Sequence, residues 1–252
     1  MKKVLLTFVL IALAIPSFAQ DGRFERAGKF NVSVSGGPMF SKNENSFGYG
    51  DFKVRKDLLT WQGQVGVGYS FTNAVSARLS IGYGKNVSAM NIRESNWVFA
   101  PYDFKSVTFF ADAMVNLNGL GADSWAFAPK IYVGLGAGHT SGFSTPYITK
   151  HMEPANAKGK IVDDPGTVIH PKYNKAVEEG TFTDSNTSFG MRAGFIAEYD
   201  FKSGFGIYVD LCAEAFSESF NGQHKLKGSG KGKSDFPFDL RASASLGVIM
   251  HF

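Results

Sequence analysis

The sequence has 252 residues, with 29 glycines, 24 phenylalanines, a mean hydropathy of −0.09 and a formal net charge of +4. That charge is too small and too scattered to favour nucleic acid as a partner. Cys212 is the single cysteine, so an intramolecular disulfide is excluded and stability must come from the fold.

The first nineteen residues are typical of a secretory signal peptide. Two lysines are followed by an apolar run from Val4 to Ile15, and small residues precede a cut after Ala19. A run of about a dozen apolar residues is shorter than the ~20 that a membrane-spanning helix needs. We therefore predict that residues 1–19 are removed and that residues 20–252 form one exported domain, whose net charge falls from +4 to about +2 with the loss of those two lysines.

Period-two alternation of apolar and polar residues recurs along the rest of the chain. In WQGQVGVGYSF (residues 61–71), Trp61 and Val65 fall on one face of an extended strand, and Gln62 and Gln64 fall on the other. Eight segments show this pattern, and each predicts one strand. They are residues 29–40, 61–71, 74–84, 105–117, 126–138, 188–201, 205–216 and 238–252.

The length of these strands and the spacing between them favour a membrane barrel. Each strand has about 11 to 15 residues, whereas strands of soluble proteins usually have ~5 to 6 and a tilted membrane strand needs ~9 to 11. Short connections (Thr72 to Asn73, Asn118 to Ser124, Lys202 to Gly204) alternate with long ones, the longest from about His139 to Thr187. Turns on one side and long loops on the other are typical of bacterial outer-membrane barrels. We predict an all-β fold, an eight-stranded antiparallel up-and-down transmembrane β-barrel.

A signal peptide, eight alternating strands and a terminal aromatic residue together resemble the small outer-membrane barrels of the OmpA, OmpX and OmpW kind. The resemblance covers the chain after the signal peptide and implies location in the outer membrane. It also implies that the last strand is read by the barrel-insertion machinery. The sequence departs from full-length OmpA-type proteins in one respect: no residues follow the eighth strand, so we expect the peptidoglycan-binding domain to be absent. The residues that would carry this insertion signal are Leu246, Val248, Met250 and Phe252.

Nearly balanced charges occupy the face of the strands that would point into the barrel. They are Arg78, Asp112, Lys130, Arg192, Glu198, Asp210, Glu214, Asp239 and Arg241. Side chains fill the interior of an eight-stranded barrel, and an unpaired buried charge is very costly. We therefore expect these groups to pair with one another; the alternative is that they line a path for protons or solutes.

A second alternative is hydrolysis of lipid A. His139 and Ser141 are two residues apart on the lipid-facing side, as are the base and nucleophile of outer-membrane lipid A deacylases. The strand glutamates Glu198 and Glu214 point inward by parity, so only Glu153 in the long loop could orient the histidine. The five histidines show no metal-ligand spacing, and we predict no catalytic residues, metal or cofactor.

The long connections carry most of the remaining surface information. The segments 139–187 and 223–235 contain lysines that could neutralise phosphates of lipopolysaccharide, or that could simply be solvated. We predict a non-enzymatic barrel that has a structural or surface-interaction role or is an accessory subunit of an envelope protein complex. The alternative from another class is a narrow conduit for small apolar molecules, similar to OmpW.

Overall fold

A computed structural model describes residues 24–42, 59–94, 96–120, 125–143, 148–152, 161–167, 185–217, 220 and 238–252. Within these residues the chain forms ten strands and one 3-10 turn. The strands are β1 (Phe30–Lys42), β2 (Leu59–Ser70), β3 (Val75–Glu94), β4 (Asn96–Asn116), β5 (Phe127–Ser141), β6 (Ile148–Met152), β7 (Ile161–Thr167), β8 (Ser185–Asp200), β9 (Phe205–Ser217) and β10 (Phe238–His251), and the turn is Leu117–Leu120. The predicted signal peptide and its cut lie outside the described residues and stay predictions.

Eight of the strands close into a barrel in the order β1-β2-β3-β4-β5-β8-β9-β10, and every neighbouring pair is antiparallel. The seam between β1 and β10 runs from Asn31↔His251 to Lys42↔Leu240, and the backbone N–H of Phe252 donates to the carbonyl of Phe30 at 2.9 Å. The predicted eight-stranded antiparallel up-and-down barrel is confirmed. No helix in the described part of the chain is long and apolar enough to cross a membrane.

The inward and outward faces follow the predicted alternation. On β1, Val32 and Val34 are 41% and 50% exposed, whereas Ser33 and Ser35 are buried. The same pattern surrounds the barrel, so its outer wall is a continuous apolar surface. An exposed apolar surface of this extent marks contact with a membrane or a protein partner.

Strand register orders the outer wall of β3, β4, β5 and β8 into rows that change from polar to apolar. Toward the long connections, the last row that all four strands share is Lys85, Lys105, Ser141 and Ser185, and the next is Tyr83, Val107, His139 and Thr187. Below them the rows are Ile81, Phe109, Ala137 and Phe189, and then Leu79, Ala111, Leu135 and Met191. The boundary between solvated and apolar wall therefore lies at Tyr83 and His139.

Two of the predicted long connections contain strand. The connection expected after residue 84 is instead a hairpin, because β3 continues to Glu94, β4 begins at Asn96, and the two strands pair throughout. Above the apolar wall neither face has to be apolar, so period-two alternation disappears while backbone hydrogen bonding continues. The 139–187 connection likewise contains β6 and β7, and β6 pairs with β4 at Val98↔His151.

Two tight turns that the structure describes in full join strands at the opposite end of the barrel, as predicted. Between β2 and β3, the hydroxyl of Thr72 accepts hydrogen bonds from the backbone N–H groups of Ala74 and Val75 at 3.1 and 2.9 Å. Between β8 and β9, Gly204 has a φ of 84°, a conformation that favours glycine. We call this the turn end and the opposite one the loop end.

Candidate functional site in the barrel interior

A row of alternating charges crosses the interior at one level of the barrel. Cross-strand register places Arg78 opposite Asp112, Arg192 opposite Glu214, and Glu214 opposite Arg241, with Gly134 between Asp112 and Arg192. All five charged side chains are at most 5% exposed. We call these five residues the charge row.

Asp112 bridges two arginines of the charge row. Its carboxylate accepts from Arg78 Nε at 2.8 Å, from Arg192 Nε at 2.7 Å and from Arg192 Nη2 at 2.6 Å. Gly134 makes this geometry possible, because a Cβ there would lie 2.2 Å from Asp112 Oδ1 and 3.3 Å from Arg192 Cγ. One carboxylate thus accepts hydrogen bonds from two buried guanidinium groups.

Glu214 and Asp210 pair with the same arginines. Glu214 accepts from Arg241 Nε at 2.7 Å and lies 3.9 Å from Arg192 Nη1. Asp210, further toward the turn end, lies 3.4 Å from Arg78 Nη1 and accepts from the Tyr132 hydroxyl at 2.8 Å. These contacts link the charges of five strands, and the Tyr132 hydroxyl of a sixth, into one network.

The remaining predicted charges lie on either side of the charge row. Asp239 is 4% exposed and lies toward the loop end, opposite Phe216. At the turn end, Lys130 Nζ lies 2.6 Å from both carboxylate oxygens of Glu198. The structure therefore places all nine predicted residues inside the barrel and buries each of them.

A second cluster, here called the turn-end cluster, consists of Arg26, Lys130, Glu198, Asp200 and His251. His251 Nε2 lies 3.1 Å from Asp200 Oδ1 and 3.6 Å from Glu198 Oε1. Glu198, Asp200 and His251 present ligand atoms within 4.8 Å of one another, close enough to share one metal ion. Arg26 and Lys130 already contact the two carboxylates, so the charges are compensated without a metal, and we interpret the cluster as an ion-pair network.

Aromatic rings fill the interior at the loop end. Phe216 and Phe220 stack with ring centroids 3.9 Å apart, and the Arg241 guanidinium lies 5.0 and 5.3 Å from their centroids. Glycines on neighbouring strands make room for these rings: a Cβ at Gly138 would lie 2.5 Å from Phe220, and one at Gly190 would lie 2.7 Å from Phe216. The aromatic rings and the arginine close the barrel above the charge row.

The interior also contains a small polar cavity between the charge row and the turn-end cluster. Its volume is about 20 Å³, and Asn31, Ser33, Arg78, Lys130 and Glu198 are among the residues that line it. One buried water needs roughly 10–15 Å³ measured in this way. This space accommodates a single water and is too small for a solute to pass through.

The residues of the predicted insertion signal and His139 lie on the outer face of the barrel, as expected. Leu246, Val248, Met250 and Phe252 are between 45% and 68% exposed on the wall formed by β10. His139 is exposed and its Nδ1 lies 3.0 Å from the hydroxyl of Thr187.

The requirements of a hydrolase are not met within the described residues. Glu198 and Glu214 are buried inside the barrel, on the opposite side of the wall from His139 and Ser141. The partner of His139 is a hydroxyl group, which does not stabilise an imidazolium as a carboxylate does. Glu153 lies outside the described residues.

Three members of the turn-end cluster were absent from the predicted network. Asp200 and His251 have inward parity on their strands, so the alternation contained a signal for them. Arg26 precedes the first strand and belongs to no periodic segment, so nothing in the sequence pattern indicated that it enters the barrel.

No protein-family model matches the sequence, and no curated protein matches it. Among solved structures, Ail of Yersinia pestis in complex with the heparin analogue sucrose octasulfate is 17% identical, with 90% of this chain and 99% of that chain covered and a TM-score of 0.42. Neisserial surface protein A is 12% identical, with 89% and 99% covered and a TM-score of 0.47. A major outer membrane protein of Thermus thermophilus is 14% identical, with 90% and 100% covered and a TM-score of 0.45. At sequence identities of 12% to 17% and TM-scores of 0.42 to 0.47, these similarities support no inference about function.

Proposed function

We propose that this chain is a closed, non-enzymatic β-barrel of a bacterial outer membrane, with a structural or surface-interaction role or as an accessory subunit of an envelope complex. The observation that carries the proposal is the contrast between the two faces of one wall. The outer face is apolar around the whole barrel, and the inner face is filled with paired charges. In lipid, only helices and closed barrels satisfy every backbone polar group, and this barrel is closed.

The filled interior favours a structural or surface role over a conduit. The charge row spans β3, β4, β8, β9 and β10, and aromatic rings and the turn-end cluster lie on either side of it. A solute passing through would have to separate ion pairs that are at most about 5% exposed, which leaves uncompensated buried charge. The working surface is then the loop end, which faces outward in this class of barrel.

Two measurements on purified protein test this proposal, and a third tests the hydrolase. Unheated protein should migrate differently from heated protein in detergent gels, because a closed membrane barrel resists unfolding, and planar bilayers at high protein density should show no single-channel events. Mobility that does not depend on heating would contradict the membrane barrel. Reproducible channel events would favour the conduit, and acyl-chain release from lipid A that is lost in His139→Ala would favour the hydrolase.

The loop-end boundary of the apolar wall fits contact with lipopolysaccharide phosphates. Lys85 and Lys105 lie directly opposite each other on the outer face of β3 and β4, and both are exposed. Like charges directly opposite on neighbouring strands repel, and an anion between them would remove that repulsion. Asp103 forms an ion pair with Lys85 at 2.7 Å, so Lys85, Lys105 and Asp103 together have a formal charge of one positive unit. This row lies just above the apolar rows, at the depth where headgroup phosphates would be.

Replacing both lysines should weaken this contact selectively. We expect Lys85→Gln/Lys105→Gln to bind lipopolysaccharide vesicles about ten- to thirty-fold more weakly, since each lysine near an anionic surface contributes about 1 kcal/mol. The measurement is binding of the detergent-solubilised barrel to vesicles with and without lipid A phosphates. Lys202→Gln, an exposed lysine in the turn between β8 and β9, is the matched control and should bind as the parent does. Equal binding by the double variant would rule out this row while leaving the closed barrel intact.

The other partners are also part of the proposal. The outward row of β10 that ends at Phe252 is our candidate for the signal read by the barrel-insertion machinery. Purification of the tagged protein from native membranes in mild detergent would identify a stoichiometric envelope partner; recovery of the barrel alone would argue against an accessory-subunit role.

A further inference from the structure

The segment before β1 enters the barrel at its turn end. Arg26 is 1% exposed although it belongs to no strand. Its Nη1 donates to the carbonyl of Trp125 at 2.7 Å and lies 3.5 Å from that of Phe24, and its Nη2 donates to the carbonyl of Ala126 at 2.9 Å. Nη2 also forms a close ion pair with Asp200.

The acceptors around Arg26 are positioned by the barrel itself. Glu198, 3.4 Å from Arg26 Nε, is held by Lys130 at 2.6 Å, and Asp200 is held by His251 at 3.1 Å. The backbone N–H of Asp200 donates to the carbonyl of Ala126 at 3.0 Å, which fixes that carbonyl against β8. Two carboxylates and two backbone carbonyls thus surround a planar group that has donors along its edges, the arrangement that suits a guanidinium and not an ammonium ion.

Further contacts, which do not involve the Arg26 guanidinium, also hold the segment in place. The side-chain oxygen of Asn73 accepts from the backbone N–H groups of Arg26 and Ala27 at 2.8 and 3.1 Å. Gly28, with a φ of 76°, donates to the carbonyl of Ser70 at 2.8 Å and turns the chain into β1. Phe24 packs on the ring of His251, with centroids 5.1 Å apart.

We propose that the turn end of the barrel is a guanidinium-binding site and that Arg26 occupies it as a tethered ligand, so that residues 24–29 form a plug. Without Arg26, the carboxylates of Glu198 and Asp200 keep Lys130 as their one permanent cation within the described residues, and His251, which contacts both, carries charge only when it is protonated. A vacated pocket therefore retains affinity for free guanidinium ion or for an arginine side chain. The plug closes the turn end of the interior whether or not the outer-membrane role is correct.

Chemical rescue tests the site directly. We expect Arg26→Ala to unfold roughly a hundredfold faster in detergent than the parent, since it leaves buried charge unpaired. Guanidinium at about 20 mM, where its denaturing effect is small, should recover a large part of that loss. Tetramethylammonium at equal concentration should recover none, and Arg26→Lys should remain well short of the parent. Unfolding of Arg26→Ala at the parental rate, or a loss that guanidinium does not reduce, would overturn the proposal.

Limited proteolysis tests the plug in a chain that keeps Arg26. Trypsin should not cut the Arg26–Ala27 bond of the folded parent but should cut it measurably faster in Asn73→Ala, which removes the two hydrogen bonds to the backbone N–H groups of Arg26 and Ala27 and leaves the acceptors of the guanidinium in place. Cleavage after the exposed Lys202 serves as the internal control and should be equal in both proteins. Ready cleavage after Arg26 in the folded parent, or equal protection in the parent and Asn73→Ala, would contradict the plug. This test can be carried out even if Arg26→Ala does not fold.

Discussion

Replacement of Asp112 with alanine is expected to cost the barrel about 3–5 kcal/mol in free energy of unfolding, the range for breaking a buried ion pair from one side. Asp112 is the common partner of Arg78 and Arg192, both buried, and its side chain has no exposed surface. Alanine leaves two guanidinium groups facing each other without the anion between them. The loss should be visible as a large fall in the denaturant midpoint of the reconstituted barrel.

Two further variants separate charge pairing from other effects of the substitution. Asp112→Asn keeps the volume and one acceptor, so a smaller loss of about 1.5–3 kcal/mol is expected. Asp103→Ala is the matched control on the same strand, because Asp103 also pairs with a cation but its side chain is 40% exposed. Exposed pairs contribute about 0–1 kcal/mol, so this variant should change little. Equal losses from Asp112→Ala and Asp103→Ala would mean that the interior is hydrated and the charge row is not a buried network.

Alanine at Gly37 is expected to disrupt the seam where the barrel closes. An added Cβ would lie 2.0 Å from the carbonyl oxygen of Ala244 and 2.8 Å from the Cα of Ser245, both backbone atoms of β10. A backbone obstacle cannot rotate away as a side chain can, so β1 and β10 would have to separate. Overpacking usually costs about 1–3 kcal/mol, and we expect at least the upper part of that range here.

The glycine at position 63 provides the comparison for the seam. A Cβ there meets its nearest atom, the carbonyl oxygen of Ser35, at 3.7 Å, which is ordinary contact. Both substitutions reduce the freedom of the unfolded chain by the same amount, so the difference between them isolates the clash. Refolding into lipid followed by gel mobility of unheated samples measures the closed fraction. If Gly37→Ala closes as completely as Gly63→Ala, the close approach of β1 and β10 at Gly37 is wrong.

The number of strands in the barrel, their direction and the assignment of each face could be predicted from the sequence, whereas β6 and β7 were not. Val32 and Ser33 illustrate the reason: a barrel wall with lipid on one side and packed side chains on the other imposes period-two alternation on each strand separately, so the signal is local. The inward position of Arg78, Asp112 and Arg192 follows from the same parity. The period-two alternation of apolar and polar residues ends near Lys85, so the continuation of β3 to Glu94 and the start of β4 at Asn96 were missed.

Pairing among the inward groups was decided only by the tertiary structure. Parity places Asp112 inside the barrel, but only cross-strand register brings it between Arg78 and Arg192, and only the missing side chain of Gly134 leaves room for the bridge. Arg26 is the extreme case, because it lies 172 residues from Glu198 in sequence and belongs to no periodic segment. The alternation of apolar and polar residues shows which environment lies on each side of a strand. It does not show which distant side chain lies in that environment, because only closure of the barrel brings such side chains together.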